Sequence, residues 1–117
     1  MTSPTMLQKL EQYLNLTSSR QQLIVSNMAN VDTPGYRTQD IDFRSEMRRA
    51  LDETGGGATI APVARAVPGL MARPDGNDVS LDRESLLLSE NTIQYQIGVQ
   101  LVKNKFHELL SAINEGK

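Results

Sequence analysis

The chain has 117 residues and a formal net charge of −2, with 12 Lys and Arg against 14 Asp and Glu. One domain is the default at that length, and no basic block or stripe is present of the kind that nucleic-acid binding needs. Cysteine is absent, which excludes disulfides and Cys-ligated metals and is compatible with the cytosol or with export without bridges. Leu, Ile, Val and Phe number 29, only just above the roughly 20% level below which chains tend to stay disordered. Of these, 11 fall in residues 1–51, 13 in residues 81–117 and five between, so the hydrophobic drive sits at the two ends and a large self-sufficient core is not expected.

The opening residues Met1-Thr2-Ser3-Pro4-Thr5 lack a basic stretch followed by an apolar run. No secretory signal peptide is expected, and nothing in the chain approaches a membrane span. Residues 5–31 then read as a helix about 40 Å long. Leu7, Leu10, Leu14, Thr17, Gln21, Ile24, Met28 and Val31 alternate steps of three and four. That is a seam of coiled-coil type with two polar members at its centre, and Thr5 is the N-cap candidate. Pro34 ends the helix. The residue before a proline avoids helical geometry, so Thr33 is expected to be extended. Pro34-Gly35 fits the central positions of a type II turn, in which Gly supplies the positive φ.

Residues 36–43 read as extended, with Ile41 and Phe43 on one face. A short helix over 43–51 follows, with Asp42 as N-cap and Phe43, Met47 and Ala50 on one side. In residues 52–78, Gly55-Gly56-Gly57 and Pro62, Pro68 and Pro74 break any periodicity. They predict a flexible connector with local contacts around Val63 to Leu70. Residues 80–114 read as a second helix about 50 Å long. Leu88, Thr92, Tyr95, Val99, Val102, Phe106, Leu109 and Ile113 repeat the heptad-like alternation. Leu81, Leu87, Ile93, Ile97, Leu101 and Leu110 widen the apolar surface. Ser80 is the expected N-cap, and Asp82 and Glu84 place negative charge on the first turn, where the helix dipole favours it. Gly98, costly by roughly 1 kcal/mol in a helix interior, marks a bend or a close backbone approach.

The expected fold is mainly α. Two long terminal helices pair as an antiparallel hairpin or coiled coil, joined by a turn, a short extended segment and a flexible Gly/Pro-rich connector. Residues 1–51, 52–79 and 80–117 together make one domain. The polar faces of both helices are poor in charge: residues 5–31 carry only Lys9, Glu11 and Arg20. The gaps are filled by amides such as Gln8, Gln12, Gln22, Gln96, Gln100 and Asn104. Neutral amides suit a surface that packs on other subunits, because they hydrogen-bond without burying ions.

No catalytic constellation stands out. His107 is the only histidine, so zinc sites built on His or Cys are not available, and it reads as a polar residue on the terminal helix. Asp75-Gly76-Asn77-Asp78 opens like a calcium loop, but Ser80 and Leu86 stand where an EF-hand needs Gly and Glu. The Gly55-Gly56-Gly57 run is not followed by Lys-Ser/Thr and is no P-loop. Met6, Met28 and Met47 read as packing residues. Neither cofactor nor metal is expected.

Three segments carry a resemblance. The first is Ser26-Asn27-Met28-Ala29-Asn30-Val31-Asp32-Thr33-Pro34-Gly35-Tyr36, which resembles the N-terminal signature of bacterial flagellar axial proteins. The second is Arg37-Thr38-Gln39-Asp40-Ile41-Asp42-Phe43. The third is Asp75-Gly76-Asn77-Asp78-Val79-Ser80-Leu81-Asp82-Arg83-Glu84, followed by Asn91 and Tyr95. The last two resemble the FlgB type of flagellar basal-body rod protein, a proximal rod subunit; Asp78 and Ser80 depart from that type's commonest pattern.

The resemblance implies a structural, non-enzymatic role. It implies export through the flagellar type III system without a Sec signal and assembly in the periplasm as part of the rod. The implied partners are copies of itself, other rod subunits, the export gate, the rod-base adaptor and inner-membrane ring components. The helix residues Tyr95, Val99, Val102, Phe106, Leu109 and Ile113 would then serve assembly. Another rod subunit is the nearest alternative, against which Asp40-Ile41-Asp42-Phe43 argues. A cytosolic helical-hairpin adaptor or secretion chaperone is a further alternative, and it would carry more charge on its polar face.

Overall fold

A computed structural model describes residues 5–54 and 61–116. Helix α1 (Met6–Ala29) leads to strand β1 (Gln39–Asp40) and helix α2 (Phe43–Thr54). Strand β2 (Arg65–Ala66) and helix α3 (Leu81–Glu115) follow. The molecule is a rod of 68 × 29 × 17 Å. Gly55, Gly56 and Gly57, the start of the expected connector, lie outside the described residues.

The helix boundaries follow from local chemistry. Thr5 caps α1: its hydroxyl accepts from Gln8 N at 3.1 Å, while Gln8 Oε1 accepts from Thr5 N at 2.8 Å. This reciprocal pair satisfies two orphan amides of the first turn. Asn30 forms the C-cap. Asp42 opens α2, accepting from the Ser45 hydroxyl at 2.8 Å and the Ser45 amide at 3.3 Å. Ser80 caps α3 by accepting from Arg83 N at 3.3 Å.

Helices α1 and α3 run antiparallel. Contacts descend one helix as they climb the other: Asn27 meets Glu84, Thr17 meets Asn91, and Tyr13 meets Gln94. The seam read along α1 faces α3, with Leu10, Thr17 and Ile24 buried. A second face of α1, through Gln12 and Leu16, is also buried. Tyr13 meets Phe43 of α2 edge-on, ring centroids 5.5 Å apart, and burial pushes the Tyr13 phenol up. Met6, expected to pack, is 54% exposed.

The seam on α3 differs from the periodicity expectation. The residues that α3 buries are Glu84, Asn91 and Gly98, at steps of seven. At Gly98 an added Cβ would lie 2.7 Å from Leu14 Cδ2 and 3.0 Å from the Tyr13 ring. Gly98 therefore marks a close approach between helices. The helices meet too closely for large side chains on that line; Tyr95 stands 42% exposed beside it, and Phe106, Leu109 and Ile113, 40–61% exposed, lie where α3 runs on past the start of α1.

Between the helices, β1 pairs antiparallel with β2, Gln39 opposite Ala66 and Asp40 opposite Arg65. Val67 N extends the contact to Thr38 O at 3.0 Å. Part of the expected connector is thus tied to the segment after the turn. Among the described residues, the buried hydrophobic side chains are six, Leu10, Leu16, Ile24, Ile41, Ala50 and Val79, against nine buried polar or charged ones. Fully burying an aliphatic side chain contributes about 1.5–3 kcal/mol, so this small set leaves much of the organisation to hydrogen bonds.

Candidate assembly site

The buried polar residues concentrate where the three resembling segments meet, at the end of the hairpin formed by the C-terminus of α1 and the N-terminus of α3. The turn itself forms as its residues demand. Tyr36 N donates to Thr33 O at 3.1 Å and Gly35 has φ 75°. Asn30 Nδ2 donates to Ser26 O, and Thr33 Oγ1 donates to Asn30 Oδ1 at 3.0 Å. Pro34 and Ala29 are exposed.

The loop 73–79 closes over this turn. Asn77 is fully buried. Its Nδ2 donates to Asn30 O at 2.9 Å and to Thr33 O at 2.8 Å, and its Oδ1 accepts from Val79 N at 2.8 Å. One amide side chain therefore reads the main chain of the turn more than 40 residues away. Asp75 shapes the loop by accepting from Asn77 N at 3.0 Å, while its carbonyl accepts from Gly35 N at 2.9 Å. Gly76, at φ 85°, sits against Gly35: an added Cβ would lie 3.4 Å from Gly35 Cα. Arg73 spans the junction, donating to Val79 O at 3.0 Å and to Val31 O. None of these partners could be paired from the sequence, because the segments lie far apart in it.

A second knot joins the helices to β1. Asn27 is 1% exposed and uses its whole side chain. Nδ2 donates to Gln39 O at 2.8 Å and Glu84 Oε1 at 2.7 Å; Oδ1 accepts from Gln39 N and Tyr36 Oη, both at 3.0 Å. Glu84 is fully buried, with Oε2 held by Arg83 at 2.7 Å. Sequence reasoning placed Glu84 on the first turn of the helix for its charge; the structure makes it also the inward residue that bonds to α1. Asp78 is also buried, accepting from Thr38 N at 2.6 Å and facing Arg37 at 3.5 Å. Burial pushes its carboxyl up, but the Thr38 hydrogen bonding and the Arg37 guanidinium outweigh that and hold it below the usual carboxylate range.

Asp40 ties β1 to α1 through a bidentate pair with Arg20, both bonds at 3.0 Å. This fork geometry is the strong form of a carboxylate–guanidinium contact. The Ser45 hydroxyl and amide hold the Asp42 carboxyl below its usual value.

Of the buried polar residues in the three resembling segments, Asn27, Asn77, Asp78 and Glu84 are hydrogen-bonded within this clasp, whereas Asn91 bonds to Thr17 and Gln21 farther along the hairpin. No protein-family model matches the chain. It is similar to the flagellar basal body rod protein FlgB of Salmonella typhimurium, 31% identical with 91% of each chain covered. FlgB of Escherichia coli is likewise 31% identical over 91% of each chain. FlgB of Proteus mirabilis is 28% identical, covering 95% of this chain and all of the relative. The chain belongs to the FlgB family of flagellar basal body rod proteins.

In this FlgB-family chain the clasp leaves the outer face of α3 uncovered. Val79 is buried beside the clasp, while Leu81 is 47% exposed. Farther along, Val99 and Val102 are half-buried, and Tyr95, Phe106, Leu109 and Ile113 are exposed, with Leu101 and Leu110 beside them. At 1.5 Å per residue α3 is about 52 Å long and α1 about 36 Å, so the far end of α3 outreaches α1. Clustered apolar exposure of this kind marks an interaction surface. Among the described residues no helix is long and apolar enough to cross a membrane, and no group of three His, Asp or Glu is placed to hold a metal.

Proposed function

We propose that this chain is laid into the proximal rod of the bacterial flagellar basal body as a structural subunit, with α1 and α3 as its contact surfaces. Membership in the FlgB family supports the rod role, since the relatives are basal body rod proteins by name. The observation that carries the assembly reading is the uncovered outer face of α3, where Leu101, Phe106, Leu109, Leu110 and Ile113 stand 40–61% exposed. A lone soluble hairpin would leave that surface in water, where its burial is worth about 25 cal/mol per Å² of apolar area.

The roles divide along the chain. Asn27, Asn30, Thr33, Gly35, Tyr36, Asp75, Gly76, Asn77 and Val79 set the hairpin's geometry; Asp40, Asp42 and Phe43 fix the segment between; the outer residues of α3 meet neighbours. Residues 1–51, 52–79 and 80–117 act as one unit. The partners are further copies of the chain and other rod subunits, with the export gate, the rod-base adaptor and the inner-membrane ring at the rod's foot. Export by the flagellar type III route and a periplasmic position complete this reading, and no enzymatic step belongs to it. The test is complementation: a strain lacking this gene, supplied with Phe106→Asp and Leu109→Asp together, should show membrane rings without rods. Normal rods from that variant would refute the assignment of α3 as the contact surface.

A further inference from the structure

The clasp ties α1 to α3 at one end of the hairpin, where Asn27 meets Glu84 at 2.7 Å. The helices come together tightly again at Gly98, where an added Cβ would stand 3.0 Å from the Tyr13 ring and 2.7 Å from Leu14 Cδ2. Residues 13 and 27 lie 14 apart in the chain, as do 84 and 98, so the two contacts are about 21 Å apart along the hairpin. Past Gly98 the pair loosens. Among the described residues α3 buries none beyond it, and an open groove of about 520 Å³ is lined by Leu7 and Leu14 of α1 with Val102 and Phe106 of α3.

The ring that Gly98 touches is held on two other sides. Phe43 of α2 meets it edge-on, with centroids 5.5 Å apart, and its hydroxyl donates to Gln94 O of α3 at 3.2 Å. Among the described residues no Cα of α2 comes within 8 Å of α3, so Tyr13 is the link between those two helices. Leu14 Cδ2 ends a flexible side chain and can swing aside. A ring held by α2 and α3 has less room, so a side chain at position 98 parts the helices. Alanine normally repairs a glycine inside a helix; this contact reverses the sign. The consequence grows along α3. Ile113 lies about twice as far from Glu84 as Gly98 does, so a tilt about the clasp that moves Gly98 moves Ile113 roughly twice as much.

We propose that the Phe43–Tyr13–Gly98 junction is a second pin of the hairpin, which aims the projecting end of α3 and so positions the face that meets neighbouring subunits. The inference rests on the rod reading above and adds the element that directs its contact surface. Phe43 and Tyr13 are positioning residues in it: they touch no part of the Leu101–Ile113 face and act on it through the direction of α3. Phe43, the last residue of the second resembling segment, thereby gains a role at a distance. The clasp fixes one end of the hairpin axis and the junction fixes the other.

The chain has no cysteine, so spin labels can be placed in pairs on the full chain. Lys9→Cys with Lys103→Cys reports the end beyond Gly98, and Ser26→Cys with Ser85→Cys reports the clasp end; all four positions are exposed. Double electron–electron resonance should give one narrow distance for each pair. Gly98→Ala and, separately, Phe43→Leu should lengthen and broaden the Lys9–Lys103 distance while leaving the Ser26–Ser85 distance unchanged. Gly98→Ala should also lower the urea midpoint, whereas a helix glycine without this contact would raise it. In a strain lacking this gene, both variants, labels omitted, should fail to build rods although Leu101–Ile113 is intact. An unchanged Lys9–Lys103 distance, a raised urea midpoint for Gly98→Ala, or movement of both pairs together overturns the pin. So does a broad Lys9–Lys103 distance before either substitution is made. Rods in normal number from variants whose Lys9–Lys103 distance has moved overturn the aiming role and leave the rod reading standing. Absence of the native chain from purified basal bodies overturns both readings.

Discussion

Asn27→Asp changes a single group of the clasp and turns a donor into an acceptor at a buried position. The native Nδ2 donates to Glu84 Oε1 at 2.7 Å and to Gln39 O at 2.8 Å; an aspartate oxygen in that place faces two acceptors. The lost bond to an ionised group is worth about 1.5–3 kcal/mol and the lost neutral bond about 1 kcal/mol. The new pair of carboxylates adds repulsion, which the protein relieves by holding one proton between them. A loss of roughly 3–5 kcal/mol near neutral pH follows, a large part of the 5–15 kcal/mol typical of a folded domain. The sign of the pH dependence is fixed by that proton. The folded variant carries a carboxyl whose pKa lies above the unfolded value, so its stability is greatest below the unfolded carboxylate pKa and falls as pH rises through the folded one. Urea denaturation of the full chain at two pH values, with amide exchange at Gln39 N, measures both effects. Gln22→Ala, on an exposed position, serves as the control and should stay within about 0.5 kcal/mol. A loss at Asn27→Asp no larger than the control, or one that does not shrink on acidification, would refute the reasoning.

Three further outcomes are expected. Gly35→Val, forced to adopt φ 75°, should cost roughly 1–3 kcal/mol of strain and abolish motility, whereas Gly56→Val, outside the described residues, should be tolerated; equal motility defects would count against the turn. The Asp78 carboxyl is held below its ordinary value, so its contribution is complete above the unfolded carboxylate pKa and is lost only as pH falls through the lower folded one. The Thr38 amide resonance, bonded to Asp78 at 2.6 Å, should therefore move only at a pH below the usual carboxylate range, and a transition nearer neutrality would contradict this. Deleting residues 106–117 should barely change the stability of the isolated chain, because Phe106, Leu109, Leu110 and Ile113 are 40–61% exposed. It should nevertheless prevent rod assembly, since each of these side chains is worth roughly 1.5–3 kcal/mol where a neighbour buries it fully.

Signals that act within a turn or two of chain could be read without the structure. The caps at Thr5, Asp42 and Ser80 form as their side chains dictate, Gly35 takes the positive φ that Pro34-Gly35 demands, and Leu10, Thr17 and Ile24 line the α1 seam. The inward line of α3 could not be read the same way. Hydrophobic periodicity assumes that the large apolar side chain points inward, and here the helices approach so closely that Gly98 and Asn91 take that line instead. Glu84 could be read only as a first-turn charge because its partner Asn27 lies 57 residues away. The pairing of β1 with Arg65–Ala66 had no signature, since two-residue strands carry no alternation to detect. The resemblance singled out Asn27, Asn77 and Asp75, but only the folded chain shows that they bond to one another's segments.

Electron cryo-microscopy of basal bodies isolated from the source cells, with this chain traced in the rod, is the measurement on which the proposed role stands. The chain should occupy the base of the rod with α1 and α3 paired as here, and the Leu101–Ile113 face of α3 should be covered by neighbouring subunits. Density for this chain away from the rod, or a rod in which that face still points to solvent, would contradict it.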